Sequence, residues 1–278
     1  MSALAVESDL TAAQFREISR TVYEIAGIQL REGKEGLVRS RLAKRLRALN
    51  LPTFEAYLDR VRADARELAE MVDQLTTNKT SFFRESAHFD FLRERVLPTL
   101  GAGPVRIWSA GCSSGEEPYT LAMIIRDAWS DADRRDVKIL ATDISRRVLA
   151  TAQAGVYPDA LMEDVAPDLL RRHWTRSAAT PAGGRPDSGT GWRASDALRK
   201  LVTFAPLNLM GKWPMRGPFQ AIFCRNVMIY FDKATQQALV ERYYDLLAPG
   251  GHLFVGHSES LSALSHRFAY VQPAVYRK

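Results

Sequence analysis

Three runs of this chain carry side chains with chemical potential: TNKTSFFR (Thr77–Arg84), SAGCSSGEEPYTLA (Ser109–Ala122) and QAIFCRNVMIYFD (Gln220–Asp232). The second reads as a strand, a tight loop containing Gly111 and Gly115, and a helix that opens on acid. That order suits a nucleotide-like ligand, but the residues are wrong for phosphate. Gly111 and Gly115 are four apart, so the loop is not G-x-G-x-x-G, and Glu116-Glu117 stand where a phosphate-binding loop needs Lys-Ser/Thr. A helix N-terminus attracts anions through its free N–H groups and dipole, and two carboxylates placed there oppose a phosphate.

A ligand with a ribose, no phosphate and a positive centre meets these requirements. S-adenosylmethionine has a ribose, a sulfonium and an ammonium. Asp143 closes the predicted second strand (KILATD), where a carboxylate can accept both ribose hydroxyls. The competing role for one of Glu116 and Glu117 is compensation of the helix dipole, and for Asp143 it is a strand-end cap.

These side chains need a scaffold. At 278 residues, 46% hydrophobic and 25% charged, the chain can bury a full core and suffices for two domains. The first ~75 residues read as helices. Thr11-x-x-Gln14 forms a capping box ahead of Phe15, Ile18, Val22 and Ile25, and Gly27 stops that run. A second helix over Lys34–Leu49 places Val38, Leu42, Leu46 and Leu49 on one stripe. Amphipathic segments at Phe54–Val61 and Ala65–Leu75 follow. After the aperiodic Thr76–Arg84, a helix near Ala87–Leu97 and the joint LPTLGAGP lead into alternating strands and helices. The strands are predicted at Val105–Ser109, Val137–Thr142, Leu201–Ala205, Ala221–Cys224 and His252–Gly256. Phe268–Arg277, with Pro273, reads as an edge hairpin or added antiparallel strand. Alternation of this kind predicts an α/β fold with a doubly wound, mostly parallel sheet. Between the second and third strands lies an insert, about His173–Lys200. Short strands at His173–Arg176 and Gly191–Arg193 flank its Pro/Gly-rich middle, Ala178–Gly191, which reads as a mobile loop.

Several function classes are excluded or disfavoured. No apolar run is long enough to span a membrane, and MSALAVESDLTAAQF lacks the basic start of a secretory signal. The two cysteines, Cys112 and Cys224, make no disulfide framework and read as buried small hydrophobes, so the cytoplasm is the expected compartment. Gly256-His-Ser-Glu-Ser260 resembles a hydrolase site only superficially, because G-x-S-x-G is absent. The five histidines show no metal-ligand spacing, so no metal is expected. A net charge of +6 with pI near 9.4 favours an acidic partner. Without an aromatic platform or reading motif, nucleic acid is not that partner.

TNKTSFFR, SAGCSSGEEPYTLA, ATDIS, CRNVMIYF and GHSES occur in one order over roughly Leu10–Lys278, and together they resemble the CheR family of chemotaxis receptor methyltransferases. The resemblance implies a class I methyltransferase-like sheet domain over 105–278, with the insert at 173–200 as a small β-subdomain. It also implies an all-helical receptor-docking domain over 1–78 and a linker and helix over 79–104 that contribute to the cofactor site. The implied reaction transfers a methyl from S-adenosylmethionine to receptor glutamates and releases S-adenosylhomocysteine. Asn78, Thr80 and Arg84 match cofactor-contacting positions, Glu117 the acidic position after the loop, and Asp143 the ribose acid. Asn208 and Leu209 match adenine-flanking positions, and Arg225 and Asn226 lie at the methionine moiety. Arg84 and Tyr230 match positions implicated in turnover.

Residues 31–49 hold seven Lys/Arg against two Glu. By resemblance, Arg41, Lys44, Arg45 and Arg47 approach the glutamate-rich cytoplasmic methylation helices of chemoreceptors; otherwise the run is a solvated face. Some relatives use the β-subdomain to hold a peptide from the receptor's C-terminus, and the Pro/Gly-rich Ala178–Gly191 departs from that pattern. The expected species is a monomer without membrane insertion. If Arg84 and Tyr230 act in turnover, Arg84→Ala and Tyr230→Phe lower the methyl-transfer rate more than donor affinity, as judged by comparing initial rates with equilibrium binding. Equal losses in both would remove the catalytic assignment.

Overall fold

A computed structural model describes residues 9–178 and 191–278. Most of the predicted loop Ala178–Gly191 therefore lies outside the described residues. The chain divides into a helical unit, holding the residues up to Thr77 with Tyr230–Asp232, and a sheet unit, holding Asn78–Ile229 and Lys233–Lys278.

The helical unit contains α1 (Ala12–Ala26), α2 (Glu35–Ala48), α3 (Phe54–Ala63) and α4 (Ala65–Leu75). The predicted capping box is formed: Gln14 N–H donates to Thr11 Oγ1, and Thr11 N–H donates to Gln14 Oε1. Gly27, at φ 70°, ends α1 in the left-handed region that glycine adopts without strain. Ile18, Val22, Val38, Leu42, Leu46, Tyr57 and Met71 are fully buried in one core, as the helical spacing requires.

The basic helix divides into two roles. Arg45 forks onto Glu67 with Nε–Oε1 at 2.7 Å and Nη2–Oε2 at 2.5 Å, and the Glu67 side chain is only 4% exposed. Arg41 donates to the carbonyls of Leu75 and Thr76, at 2.8 Å each, and so ties down the end of α4. Lys44 and Arg47 are exposed and form no ion pair among the described residues. In the same unit, Gln29 N–H donates to Tyr230 O at 2.9 Å, and Tyr23 Oη donates to Asp232 at 2.5 Å.

The sheet unit begins with α5 (Ala87–Phe91), which passes into a π turn over Leu92–Val96 and a 3-10 turn over Leu97–Thr99. The predicted single helix thus loosens before Pro98, which has no N–H to continue the ladder. The remaining elements, in chain order, are β1 (Val105–Ala110), α6 (Glu116–Ala128), β2 (Val137–Asp143), α7 (Arg146–Ala154), β3 (Val156–Pro158), α8 (Pro167–His173), β4 (Trp174–Ser177), β5 (Gly191–Ala194), α9 (Asp196–Arg199), β6 (Val202–Pro206), β7 (Phe219–Cys224), α10 (Lys233–Leu246), β8 (Leu247–Val255), β9 (Ala269–Gln272) and β10 (Val275–Arg277).

Among the described residues the main sheet has seven strands in the order β6-β2-β1-β7-β8-β10-β9. The pairs β6–β2, β2–β1, β1–β7 and β7–β8 are parallel, and β10 pairs antiparallel with β8 and β9. The predicted α/β, class I methyltransferase-like architecture is the one observed. From β1 the chain builds first toward β2 and β6, then returns to the other side at β7, so strand order reverses between β1 and β7. Ile107, Trp108, Ile139, Ala221, Phe223 and Phe254 are fully buried, which matches the near-continuous apolar runs of strands covered on both faces.

A second sheet, β3-β5-β4, is antiparallel. Its strands β4 and β5 coincide with the two predicted short strands of the insert. β3 has no counterpart in the sequence reading, because a three-residue strand ending in proline carries no period of its own and is defined by its partner.

Removing the Arg45 guanidinium leaves the Glu67 carboxylate buried without its counter-ion, a loss of about 3 kcal/mol or more. Arg45→Ala is accordingly expected to unfold at clearly lower denaturant concentration than Arg47→Ala. Arg45→Lys should fall between them, because an ammonium cannot reproduce the two-pronged bond. Equal midpoints for the two alanine variants would show that the pair carries no stability.

Candidate active site

The strand-order reversal fixes where a ligand belongs, since open parallel sheets bind ligands beyond the carboxyl ends of their strands at that point. The Gly111–Gly115 loop leaves β1 there, and Arg225 and Asn226 follow β7. The loop is hung from β2: Gly111 and Cys112 both donate to Thr142 O, at 2.8 and 2.9 Å, while Trp108 Nε1 donates to Thr142 Oγ1 at 2.9 Å. Glycine is required at both ends of the loop. Gly111 has φ 85°, and a Cβ there would stand 2.4 Å from Val227 Cγ2. Gly115 has φ 99°, and its Cβ would stand 2.7 Å from Tyr157 Oη and 2.8 Å from Ala152 Cβ. Gly115 therefore allows the close approach that a third glycine provides in the dinucleotide motif.

The two acids that open α6 separate in function. Glu116 is buried and accepts from its neighbour Ser114 Oγ at 2.8 and 3.0 Å, so it closes the loop locally. Glu117 accepts from Ser109 Oγ at 2.7 Å through Oε1 and from Arg225 Nη1 at 3.1 Å through Oε2. Burial pushes the Glu117 carboxyl above its ordinary range, against the opposing pull of Arg225.

Arg225 is buried, and its guanidinium is shared among three groups. Besides Glu117 it donates to the Arg84 carbonyl and, at 3.2 Å, to Glu85 Oε2, while its ring-facing side lies 5.0 Å from the Phe89 centroid. Its Nε is buried without a hydrogen-bond partner among the described residues. Asn226 donates through Nδ2 to Glu85 Oε1 at 3.2 Å. The turn after β7 is held from below by Glu259, which accepts from the N–H groups of Asn226 and Gly256 at 2.6 Å each and of Ile229 at 3.0 Å. The GHSES motif thus supplies a buried structural carboxylate rather than a hydrolytic centre.

Asp143 sits at the end of β2 and does cap the loop. Its Oδ2 accepts from Ser113 N–H at 2.8 Å and its Oδ1 from Ser145 N–H at 2.9 Å. Asp143, Glu117 and Glu116 all lie near enough to Cys112 to add to burial in raising its thiol. Burial likewise raises Cys224, whose sulfur accepts from Tyr243 Oη at 3.2 Å. Both cysteines are free and buried, as packing residues are.

The remaining predicted residues are distributed as follows. Asn78 O accepts from Ser113 Oγ at 2.9 Å, joining TNKTSFFR to the glycine loop, and Thr80 is half-buried on the same segment. The Arg84 side chain folds back to donate to Lys79 O at 2.7 Å. Asn208 follows β6, with its Oδ1 accepting from Met210 N–H at 2.9 Å. Leu209 is buried; its carbonyl takes Arg242 Nη1 at 2.7 Å, and that guanidinium lies 3.6 Å from the centre of the Trp213 ring. Leu207 N–H donates to Asp143 O, bringing the β2 and β6 ends together. Tyr230 ends a 3-10 turn, Met228–Tyr230, and groups with the helical unit. The sequence reading missed Ser109, Ser113, Glu85, Glu259 and Arg242. Glu85 and Glu259 were visible inside TNKTSFFR-Glu and GHSES, but no spacing rule marks them.

Backbone strain converges on these segments. Phe83, Glu85, Ser113 and Asn226 have φ of 52°, 57°, 50° and 59°, in the left-handed region that non-glycine residues rarely enter. Such strain persists only where surrounding bonds over-determine it, commonly at functional sites.

The residues fit S-adenosylmethionine. Glu85 and Glu117 set two carboxylates against one buried guanidinium, which favours a cationic ligand over a phosphate. The sequence matches the family descriptions "CheR methyltransferase, all-alpha domain" over residues 13–76 and "CheR methyltransferase, SAM binding domain" over 78–276. It is 43% identical to a probable chemotaxis protein methyltransferase of Rhizobium etli, over 92% of this chain and 96% of that protein. It is 42% identical to the chemotaxis protein methyltransferase of Escherichia coli, over 96% of this chain and 91% of that protein. Chemotaxis protein methyltransferase 2 of Pseudomonas aeruginosa is also 42% identical, over 97% and 94% respectively. With both domains matched in order and the relatives covered almost end to end, the chain belongs to the CheR family of S-adenosylmethionine-dependent methyltransferases.

Proposed function

We propose that the chain methylates glutamate side chains in the cytoplasmic methylation helices of chemoreceptors. The product is a glutamate methyl ester, with S-adenosylhomocysteine released. What supports this reading is the buried Arg225 network at the strand-order reversal, where the Glu85 and Glu117 carboxylates face one guanidinium. When bound, S-adenosylmethionine supplies an electrophilic methyl on its sulfonium. A glutamate side chain has a reference pKa of roughly 4.3 and is already a carboxylate at neutral pH, so no general base is needed. The protein's task is in-line positioning and exclusion of water, and positioning contributes on the order of 7–11 kcal/mol.

In this reading Asp143 accepts the ribose hydroxyls, and Asn208 and Leu209 flank the adenine. Asn78, Thr80, Arg225 and Asn226 hold the methionine end, with Glu117 attracting its ammonium. Arg84 orients the incoming carboxylate, and Tyr230 shapes the methyl pocket. Residues 1–78 act as the docking domain, 79–104 as linker and 105–278 as catalytic domain, in a cytoplasmic monomer. No helix of the described residues is long and apolar enough to cross a membrane.

The reaction is tested by labelled methyl transfer into a purified receptor cytoplasmic fragment. Base-labile label that disappears when the receptor's glutamates are replaced by alanine is the expected result; label stable to base, or none, overturns it. Docking is expected to depend on Lys44 and Arg47, which form no ion pair among the described residues, while Arg41 and Arg45 are bonded within their own unit. Reversing Lys44 and Arg47 together should weaken receptor methylation, more strongly at low salt, and leave donor binding intact. An unchanged rate at low salt would exclude this surface.

Donor affinity should also depend on pH through Glu117. Burial raises its carboxyl, so it gains a proton at higher pH than an ordinary glutamate does. Protonation removes the charge that attracts the ammonium, so affinity falls as pH is lowered through the raised range. Calorimetric titration of Glu117→Gln should give weaker but flatter binding across pH; a dependence identical to that of the unaltered protein would reject the role.

A further inference from the structure

Beside Arg225, two histidines that have no part in the methyl-transfer reading meet Glu85, an acceptor of the Arg225 network. His88, on α5, is 1% exposed, and neither of its ring nitrogens has a hydrogen-bond partner among the described residues. Leaving a buried polar group unpaired costs about 1–3 kcal/mol, so such a ring calls for an explanation. Its Nδ1 faces Glu85 Oε2 at 3.6 Å, too long for a hydrogen bond. Its ring lies 5.0 Å from that of His257, nearly perpendicular at 78°, and 5.9 Å from that of Phe254. One ligand atom from each of Glu85, His88 and His257 lies within 4.8 Å of the other two.

We propose that Glu85, His88 and His257 form a binding site for a divalent transition-metal ion of the zinc class, with two imidazoles, one carboxylate and a fourth position open to solvent. Imidazole and carboxylate are the donor set for such ions, and three protein ligands with an open position is a recurrent zinc arrangement. Bonds of about 2.0–2.1 Å in tetrahedral geometry put ligand atoms about 3.4 Å apart, close to the existing 3.6 Å gap between His88 and Glu85. His257 is exposed, and its ligand atom already lies within 4.8 Å of the other two. The ion takes from Arg225 only its 3.2 Å contact with Glu85, because the guanidinium keeps Glu117 and the Arg84 carbonyl. An ion here would complete the coordination that the buried His88 lacks.

The test needs no methyl-transfer assay. The full chain is titrated with zinc against a chromophoric chelator, and with cobalt(II) while following its visible ligand-field bands. The expected result is one ion per chain, with cobalt bands of low-symmetry, nitrogen-containing coordination. His257→Ala should weaken binding by about ten-fold or more, since even loss of an outer-shell partner costs that much. His266→Ala, a histidine elsewhere in the sheet unit, should bind as the unaltered protein does. Because His257 is exposed, its variant is expected to keep the melting temperature of the parent, which is measured alongside. No binding by the parent protein, or equal affinities for the His257 and His266 variants, overturns the proposal.

Discussion

A guanidinium buried at the end of β7 organises the chemistry of this molecule. Arg225 cannot shed its charge, and taking it out of water is tolerable only if acceptors surround it. Glu117, Glu85 and the Arg84 carbonyl do so, and they come from three separate parts of the chain. One desolvated cation therefore pulls TNKTSFFR, the head of α6 and the β7 turn to a common point. The carboxylates that neutralise it outnumber it. Surplus negative charge of this kind suits a cationic ligand better than a phosphate.

The same convergence accounts for the unusual backbone. Phe83, Glu85, Ser113 and Asn226 adopt left-handed angles, and each lies in a segment whose neighbours are bonded to another segment. Asn226 is held by Glu259 from beneath and bonds Glu85 on the other side, while Ser113 is fixed by Asp143 and by the Asn78 carbonyl. Each strained residue costs on the order of 1–3 kcal/mol, which hydrogen bonds to buried partners must offset. Those bonds tie the segments of the site to one another. A rigid, pre-formed site is what a transfer that needs alignment rather than a general base requires.

Much of this architecture was legible in the sequence. Apolar runs mark the five parallel strands to within a residue or two at most ends, and the missing lysine after Gly115 argues against phosphate. The insert's two short strands were also readable. β3 was not, since Val156–Pro158 is a strand only because β5 lies beside it. The helix after Arg84 was readable in extent but not in type, because its π turn depends on local packing ahead of Pro98.

The sequence by itself determined the fold class, the family and the general position of the ligand, because these rest on local periodicity and on motifs contiguous in the chain. Tertiary structure decided which of several chemically equal residues does what. Glu116 and Glu117 are adjacent acids, yet a helix turns neighbouring side chains about 100° apart, so one meets Ser114 and the other meets Arg225. Arg45 and Arg47 are equally basic, yet only Arg45 faces Glu67. His88 and His257 have no readable spacing, and they meet because α5 packs where the chain leaves β8. Contacts between residues far apart in the chain depend on how elements pack, and no one-dimensional pattern records that.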